Sequence, residues 1–249
     1  MKYIHSASNP KVKQWKKLQT KKERDKTGRY LVEGFHLVQE AIAEGHILEI
    51  IVDETIDLPA VFDYKDTPVT EVTNEIFTSL SDTETPQGVL AVCQKYTPPI
   101  EKVEGTKFLF IDAVQDPGNL GTMIRTADSA GVDAVVVGEG SVDIYNQKVL
   151  RSAQGSHFHL PILKGELTQW IEKVQGENIP VYGTALENAK VYTEIQPSGK
   201  FALIVGNEGS GVNKALLEKT TANLYIPIYG KSESLNVAVA TGILLYALR

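Results

Sequence analysis

Cysteine, histidine and long apolar runs are scarce in this chain, and each shortage closes off a class of function. The single thiol, Cys93, excludes a disulfide framework and any cysteine-based metal site. It stands in the strand-like run Val89-Leu-Ala-Val-Cys93 and reads as a small core hydrophobe. The five histidines (His5, His36, His46, His157 and His159) are scattered. Only His157-Phe-His159 forms a close pair, and its spacing ahead of Leu160-Pro161 suits entry into a strand rather than a zinc site. No metal is expected. No apolar run approaches the ~20 residues that span a bilayer. The N-terminus is too basic and polar for a secretory signal. A cytoplasmic location without membrane attachment is the expectation. A Walker A sequence is missing, and the nearest dinucleotide-loop imitation, Gly138-Glu-Gly140, has Asp143 where a third glycine belongs. No Gly-x-Ser-x-Gly follows a strand as a serine hydrolase requires.

What is present starts with a lopsided charge. The net charge of −6 argues against nucleic acid until its distribution is followed. Residues 1–30 hold ten Lys/Arg against Glu23 and Asp25, or +8, which leaves −14 on the other 219 residues. Such asymmetry points to a basic arm over 1–29 that meets phosphates, although a merely solvated helix has the same composition. The candidate RNA contacts are Lys11, Lys13, Lys16, Lys17, Lys21, Lys22, Arg24 and Arg29. Trp15 and Tyr30 suit either stacking on bases or anchoring the arm to the body.

With 249 residues, the chain can form one large domain or two smaller ones. An amphipathic helix is expected over 5–25, with Val12, Trp15 and Leu18 as its apolar stripe. Alternating patterns then predict strands at 30–33, 47–52, 68–72 and 88–94, with helices at 34–44 and 74–80. That is a small α/β domain over 30–95. Two prolines mark 96–106 as an extended linker. The apolar strand at 108–111 opens the second domain, 107–249. Helices follow at 117–131, 146–155 and 237–248, and strands at 134–137, 180–184, 201–205 and 224–228. This repetition predicts an open, mostly parallel sheet.

Two segments of that second domain read as one pocket, Leu203-Ile-Val-Gly-Asn-Glu-Gly-Ser-Gly-Val212 and Ile226-Pro-Ile-Tyr-Gly-Lys-Ser-Glu-Ser-Leu-Asn-Val237. Each strand runs into a loop rich in Gly, Ser and Asn at its carboxyl end, where open α/β sheets bind ligands. Glycine there lets backbone groups approach a ligand. Ser234 or Asn236 taken singly suits a helix cap. Arg125 falls at the edge of the buried face of its helix, where a packed surface arginine would also sit.

The order Asn119-x-Gly121-x-x-x-Arg125, Gly206-Asn-Glu-Gly209, then Ile226-Pro-(x)6-Ser-Leu-Asn236-Val-Ala-Val-Ala resembles the three motifs of the SpoU/TrmH branch of the SPOUT methyltransferases. The residues from Tyr30-Leu-Val-Glu-Gly-Phe to Gln87-Gly-Val-Leu-Ala91 look like the ribosomal-protein-like substrate-binding domain often fused ahead of it. The resemblance implies a catalytic domain knotted as a trefoil, with S-adenosylmethionine bent within the knot. It also implies a homodimer through the C-terminal domain that completes each pocket. Gly206, Ile226 and Leu235 would contact the cofactor, with Thr184 beside them. Asn119, Arg125, Glu208, Ser234 and Asn236 would form the reacting end. Thr122 and Met123 depart from the smaller or aliphatic residues common in the family. The implied reaction is methylation of a ribose 2′-hydroxyl in structured RNA, with large-subunit ribosomal RNA favoured over transfer RNA. The rival readings are a non-catalytic RNA-binding protein on this scaffold and methylation of a base, as other SPOUT branches do; the Ser-Leu-Asn loop and the early Arg125 favour ribose. The family's matching arginine has been proposed as a base, yet a guanidinium resists deprotonation. We therefore read Arg125 as a phosphate clamp that stabilises developing charge.

Overall fold

A computed structural model describes residues 2–59, 62–64 and 66–249. The chain divides into two compact units, Met1–Tyr96 with Tyr145–Phe158, and Thr97–Ile144 with His159–Arg249.

The first unit contains, in chain order, β1 (Lys2–Ile4), α1 (Pro10–Lys17), α2 (Lys21–Thr27), β2 (Arg29–Glu33), α3 (Phe35–Ala43), β3 (Ile47–Asp53), β4 (Val69–Val72), α4 (Asn74–Leu80) and β5 (Val89–Gln94). Its five strands form one mixed sheet in the order β1-β4-β3-β5-β2. Successive side chains of a strand point to opposite faces, so a sheet covered on both sides needs apolar residues at every position. β2 satisfies this over Tyr30–Val32 and β5 over Val89–Cys93. Leu31, Leu90 and Val92 pack with Val12, Trp15, Leu18 and Phe77 on one face. Tyr30, Val32, Ala91 and Cys93 pack with Val38 and Ala41 on the other. Burial pushes the Cys93 thiol far above its ordinary pKa, so it stays a neutral core residue.

The basic arm is part of this unit. One helix over 5–25 is expected from the pattern, but two form. The first stops at Leu18, and Thr20 starts the second by accepting from the Glu23 amide. Trp15 is 4% exposed and Tyr30 2%, so both anchor rather than stack on bases. β1, three residues long, was too short to show periodicity and pairs in parallel with β4.

Residues 145–158 also group with this unit. They carry α6 (Gln147–Ala153) and most of α7 (Ser156–His159). Leu150 and Phe158 join the Tyr30 face of the core, and Gln147 Nε2 donates to the Leu31 carbonyl at 2.8 Å. The sequence pattern places 146–155 within the second domain instead. His157-Phe-His159 is helical, not the strand entry its spacing suggests.

The second unit runs β6 (Lys107–Ile111), α5 (Pro117–Ser129), β7 (Ala134–Val137), β8 (Ile162–Lys164), α8 (Leu167–Gly176), β9 (Val181–Thr184), β10 (Lys190–Val191), β11 (Phe201–Val205), α9 (Lys214–Leu217), β12 (Ala222–Tyr225) and α10 (Val237–Ala247). All seven strands are parallel, ordered β10-β12-β9-β11-β6-β7-β8. Phe108, Phe110, Val136 and Ile204 pack beneath Trp170, Ile171 and Val174 of α8. The stretch 96–106 is anchored rather than spanning free: Val103, which directly follows a 3-10 turn at Ile100–Lys102, is buried in this core. β12 ends at Tyr225, three residues before the boundary that the apolar run suggests. Pro227 lacks the amide that a continuing ladder would need.

Candidate functional site

The site is built at the carboxyl ends of the second unit's central strands. The register pairs Leu224 of β12 with Thr184 of β9, and Gly183 with Ile204 of β11. Thr184 therefore ends its strand beside Val205, Gly206 follows by one residue, and Ile226 stands two beyond Leu224. Three of the four expected cofactor residues thus converge on one edge of three adjacent strands. Thr184 Oγ1 donates to the Ile204 carbonyl at 3.2 Å, which ties two of those ends together. Leu235 lies on the exposed loop that returns towards α10.

Gly206 needs its missing side chain for a reason the sequence does not show. A Cβ there would lie 2.2 Å from the Gly211 carbonyl carbon and from the Val212 nitrogen. The space is taken by the loop's own returning backbone, closed by reciprocal bonds between Asn207 and Gly211. Asn207 stabilises this loop from inside. Its Oδ1 accepts from the Gly209 and Ser210 amides at 2.9 and 3.0 Å, and its Nδ2 donates to the Ala113 carbonyl at 2.9 Å.

The expected reacting residues fall into two groups. Glu208, Asn119 and Asn236 are joined directly. Glu208 Oε1 accepts from the Asp116 amide at 3.0 Å and from Asn119 Nδ2 at 3.1 Å, while Oε2 accepts from the Gln115 amide at 3.2 Å. Asn119 Oδ1 accepts in turn from Asn236 Nδ2 at 2.9 Å. Asn236 Oδ1 is spent on capping α10, accepting from the Ala238 and Val239 amides. That cap sets which way round the Asn236 amide sits, and so leaves Nδ2 to face Asn119. Partial desolvation raises the Glu208 pKa, but the Asn119 bond and the backbone amides outweigh it and hold the carboxyl below the usual glutamate range. A carboxylate so held is a poor proton acceptor.

Arg125 and Ser234 are not bonded into this network. Both are exposed, and Arg125 makes no ion pair among the described residues. Its helix is started by Asp116, which accepts from the Asn119 amide at 2.8 Å, with Pro117 at the first helical position. α10 packs along α5, with Gly242 opposite Thr126 and the Tyr246 hydroxyl donating to the Ser129 carbonyl.

Several contributors escaped the sequence reading. Asp112 Oδ2 accepts from the Asn213 amide at 2.7 Å, and with Asn207, Gln115 and Asp116 it zips the loop after β6 to the loop after β11. Ala113 sits at φ 55, a left-handed conformation that non-glycine residues rarely adopt. Only Asp116 carried a visible signal, as the cap in Asp116-Pro-Gly-Asn119.

Known proteins match the chain along most of its length. The description "SpoU rRNA Methylase family" fits residues 107–246, and "MRM3-like substrate binding domain" fits residues 9–91. The chain belongs to the SpoU rRNA methylase family. It is 54% identical over 250 residues, covering all of both chains, to the Bacillus subtilis (strain 168) protein named 23S rRNA (guanosine(2553)-2′-O)-methyltransferase RlmP. Its structure superposes with a TM-score of 0.89 on the AdoMet-bound rRNA methyltransferase from Sinorhizobium meliloti, at 31% identity, covering 100% of this chain and 97% of that one. The SpoU methyltransferase AviRb from Streptomyces viridochromogenes, in complex with AdoMet, shares the fold at a TM-score of 0.86 and 24% identity, covering 96% and 97%. The SpoU family match spans the strand ends and loops just described. Among the described residues no helix is long and apolar enough to cross a membrane, and no group of residues could hold a metal.

The arm's eight candidate cations also separate. Arg24 is 4% exposed and donates to the Leu18 and Gln19 carbonyls at 2.9 and 2.8 Å, closing the end of α1. Lys11 is paired with Glu49. These two brace the fold. Lys13, Lys17, Lys21, Lys22 and Arg29 are exposed, Lys16 is half-buried, and none has an ion-pair partner among the described residues.

Proposed function

We propose that this protein methylates a ribose 2′-hydroxyl in large-subunit ribosomal RNA, using S-adenosylmethionine. The observation that carries the reading is the Glu208–Asn119–Asn236 chain of hydrogen bonds, set beside strand ends that suit an adenosyl group. Backbone groups of Gly206 and Ile226 lie beyond the last ladder positions, where they can serve the hydrogen-bonding edge of an adenine. The Ile226 and Leu235 side chains supply apolar surface for its faces. Thr184 closes the same edge. When bound, S-adenosylmethionine supplies an electrophilic methyl group on a sulfonium.

The chain's own task is to hold the hydroxyl and to favour charge on its oxygen as the proton leaves to water. Asn119 and Ser234 position the hydroxyl. The exposed, unpaired Arg125 clamps the neighbouring phosphate and stabilises the developing alkoxide, through two parallel N–H donors and a charge that never titrates. Glu208 orients Asn119 and the loop after β6, and takes no proton.

A homodimer through the C-terminal domain completes each pocket. Val239 and Tyr246, seven residues apart on α10, stand half-exposed on one face, as expected of an interface stripe. The tail is threaded as a trefoil knot, and the protein works in the cytoplasm. The substrate-binding role falls to residues 30–95 with the basic helices ahead of them.

The deciding experiment mixes the purified protein with methyl-labelled S-adenosylmethionine and a fragment of 23S ribosomal RNA, followed by mapping of 2′-O-methyl sites. One ribose in a folded segment is expected to be labelled. Label on transfer RNA only would overturn the ribosomal assignment, and binding without any transfer would overturn the enzymatic one.

A further inference from the structure

Glu49, on the sheet of the first unit, is the hub of a polar cluster that the catalytic reading leaves unused. Its side chain is 14% exposed and receives three donors: the Lys11 ammonium, Trp15 Nε1 at 3.3 Å and Thr70 Oγ1 at 2.8 Å. Two of the three come from α1. That helix has eight residues and only Val12 and Trp15 buried, too little to fix it by itself. The Glu49 contacts fix its rotation as well as its position. On the helical wheel Lys11 lies beside the buried stripe, while Lys13 and Lys17 fall opposite Val12 and Trp15. Arg24 then closes the C-terminal end of α1 and ties the start of α2 to it. Lys21 and Lys22 follow at the start of α2, exposed and without ion-pair partners among the described residues.

We propose that Glu49 is a positioning residue for RNA binding: it pins α1 so that Lys13, Lys17, Lys21 and Lys22 form one cationic ridge for the phosphate backbone of duplex RNA. The proposal rests on the ribosomal-RNA reading above. Trp15 is the only aromatic residue in 10–29 and is buried, so the ridge offers no ring for an unpaired base. Lysines one helical turn apart suit successive phosphates of one strand. Recognition by backbone and shape is how duplex RNA is bound by proteins.

The test exploits a sign. Glu49 is an acid among lysines, so if it acted only as a charge, its removal would tighten RNA binding. If it positions the ridge, removal weakens binding. Binding of a 23S RNA hairpin is measured by fluorescence anisotropy across a salt series for the full-length wild type, Glu49→Ala and Lys13→Ala/Lys17→Ala, with thermal melts alongside. For Glu49→Ala we expect affinity to fall about tenfold and the salt slope to shrink by about 2 phosphate contacts. The KM for RNA should rise while kcat at saturating RNA and the affinity for S-adenosylmethionine stay unchanged. The lysine pair should lose the same slope without any change in melting. Should Glu49→Ala fail to fold, the isosteric Glu49→Gln carries the same sign test. Unchanged or tighter binding by a folded Glu49 variant overturns the proposal, as does equal binding of an unstructured strand of the same sequence. A wild-type protein that neither binds nor methylates ribosomal RNA would sink the proposed function instead.

Discussion

Asn236 and Asn119, 117 residues apart in sequence, meet through a 2.9 Å bond from Nδ2 of the first to Oδ1 of the second. The same Asn236 caps α10, so one side chain both starts a helix and orients a neighbour. The two duties are separable by substitution. Asn236→Asp keeps the capping oxygen but loses the donor. It should melt close to wild type and lose transfer by about a hundredfold. Asn236→Ala loses both, and should also destabilise the fold by about 1 kcal/mol, the ordinary cost of an N-cap. Paired melts and turnover numbers check this.

Arg125→Ala should abolish methyl transfer and leave both the melting temperature and calorimetric affinity for S-adenosylmethionine nearly unchanged. Arg125→Lys should rescue little, because an ammonium cannot present two parallel donors to a phosphate. Wild-type turnover in either variant would remove the clamp role.

Glu208 offers a pH test with a definite sign. Its carboxyl is held below the ordinary glutamate value, so its stabilising bonds are fully present above that value and are lost as pH falls through the lowered one. Activity between pH 6 and 9 should therefore show no limb from Glu208, and Glu208→Gln should leave the shape of that profile unchanged while lowering its height. A profile whose limb disappears in Glu208→Gln would make this residue the proton acceptor.

Gly206→Ala should cost more than a glycine replacement in a roomy loop. The added carbon meets main chain, not a side chain that can swing aside, so the 206–212 loop must open. We expect weaker binding of S-adenosylmethionine together with a lower melting temperature. Gly230→Ala, with nothing within 4 Å of its added carbon, should do neither.

In the first unit, Arg24→Met should destabilise by about 1–3 kcal/mol, since the Leu18 and Gln19 carbonyls lose their donor. Urea titration monitors that loss.

Elements with a full period of apolar residues were legible from the sequence: β2, α3, β5, β6, α5, β11 and α10 all lie within a residue or two of their expected bounds. Short elements were not. β1 and β8 have three residues each, fewer than two full alternations. The break between α1 and α2 depends on Thr20 capping and on the burial of Arg24, and a charged side chain turned inward leaves no trace in a hydrophobic pattern. At the site, Asn119, Glu208 and Asn236 were singled out by their resemblance to the family's motifs, and the structure joins them by hydrogen bonds. Those bonds were not legible, because they cross about 90 to 117 residues and depend on which way each amide is turned. Gly206 was expected as a cofactor contact; that its missing side chain makes room for the loop's own returning backbone was not legible.

The excursion of residues 145–158 into the first unit means that the chain changes unit after Tyr96, after Ile144 and after Phe158. No single scissile point releases the methylating half intact. A fragment starting at Thr97 would carry Leu150 and Phe158 stripped of the Tyr30 face that shelters them, and a fragment ending at Tyr96 would lose those two side chains from its core. Swapping a new recognition module onto this enzyme therefore requires grafting the 145–158 segment along with it.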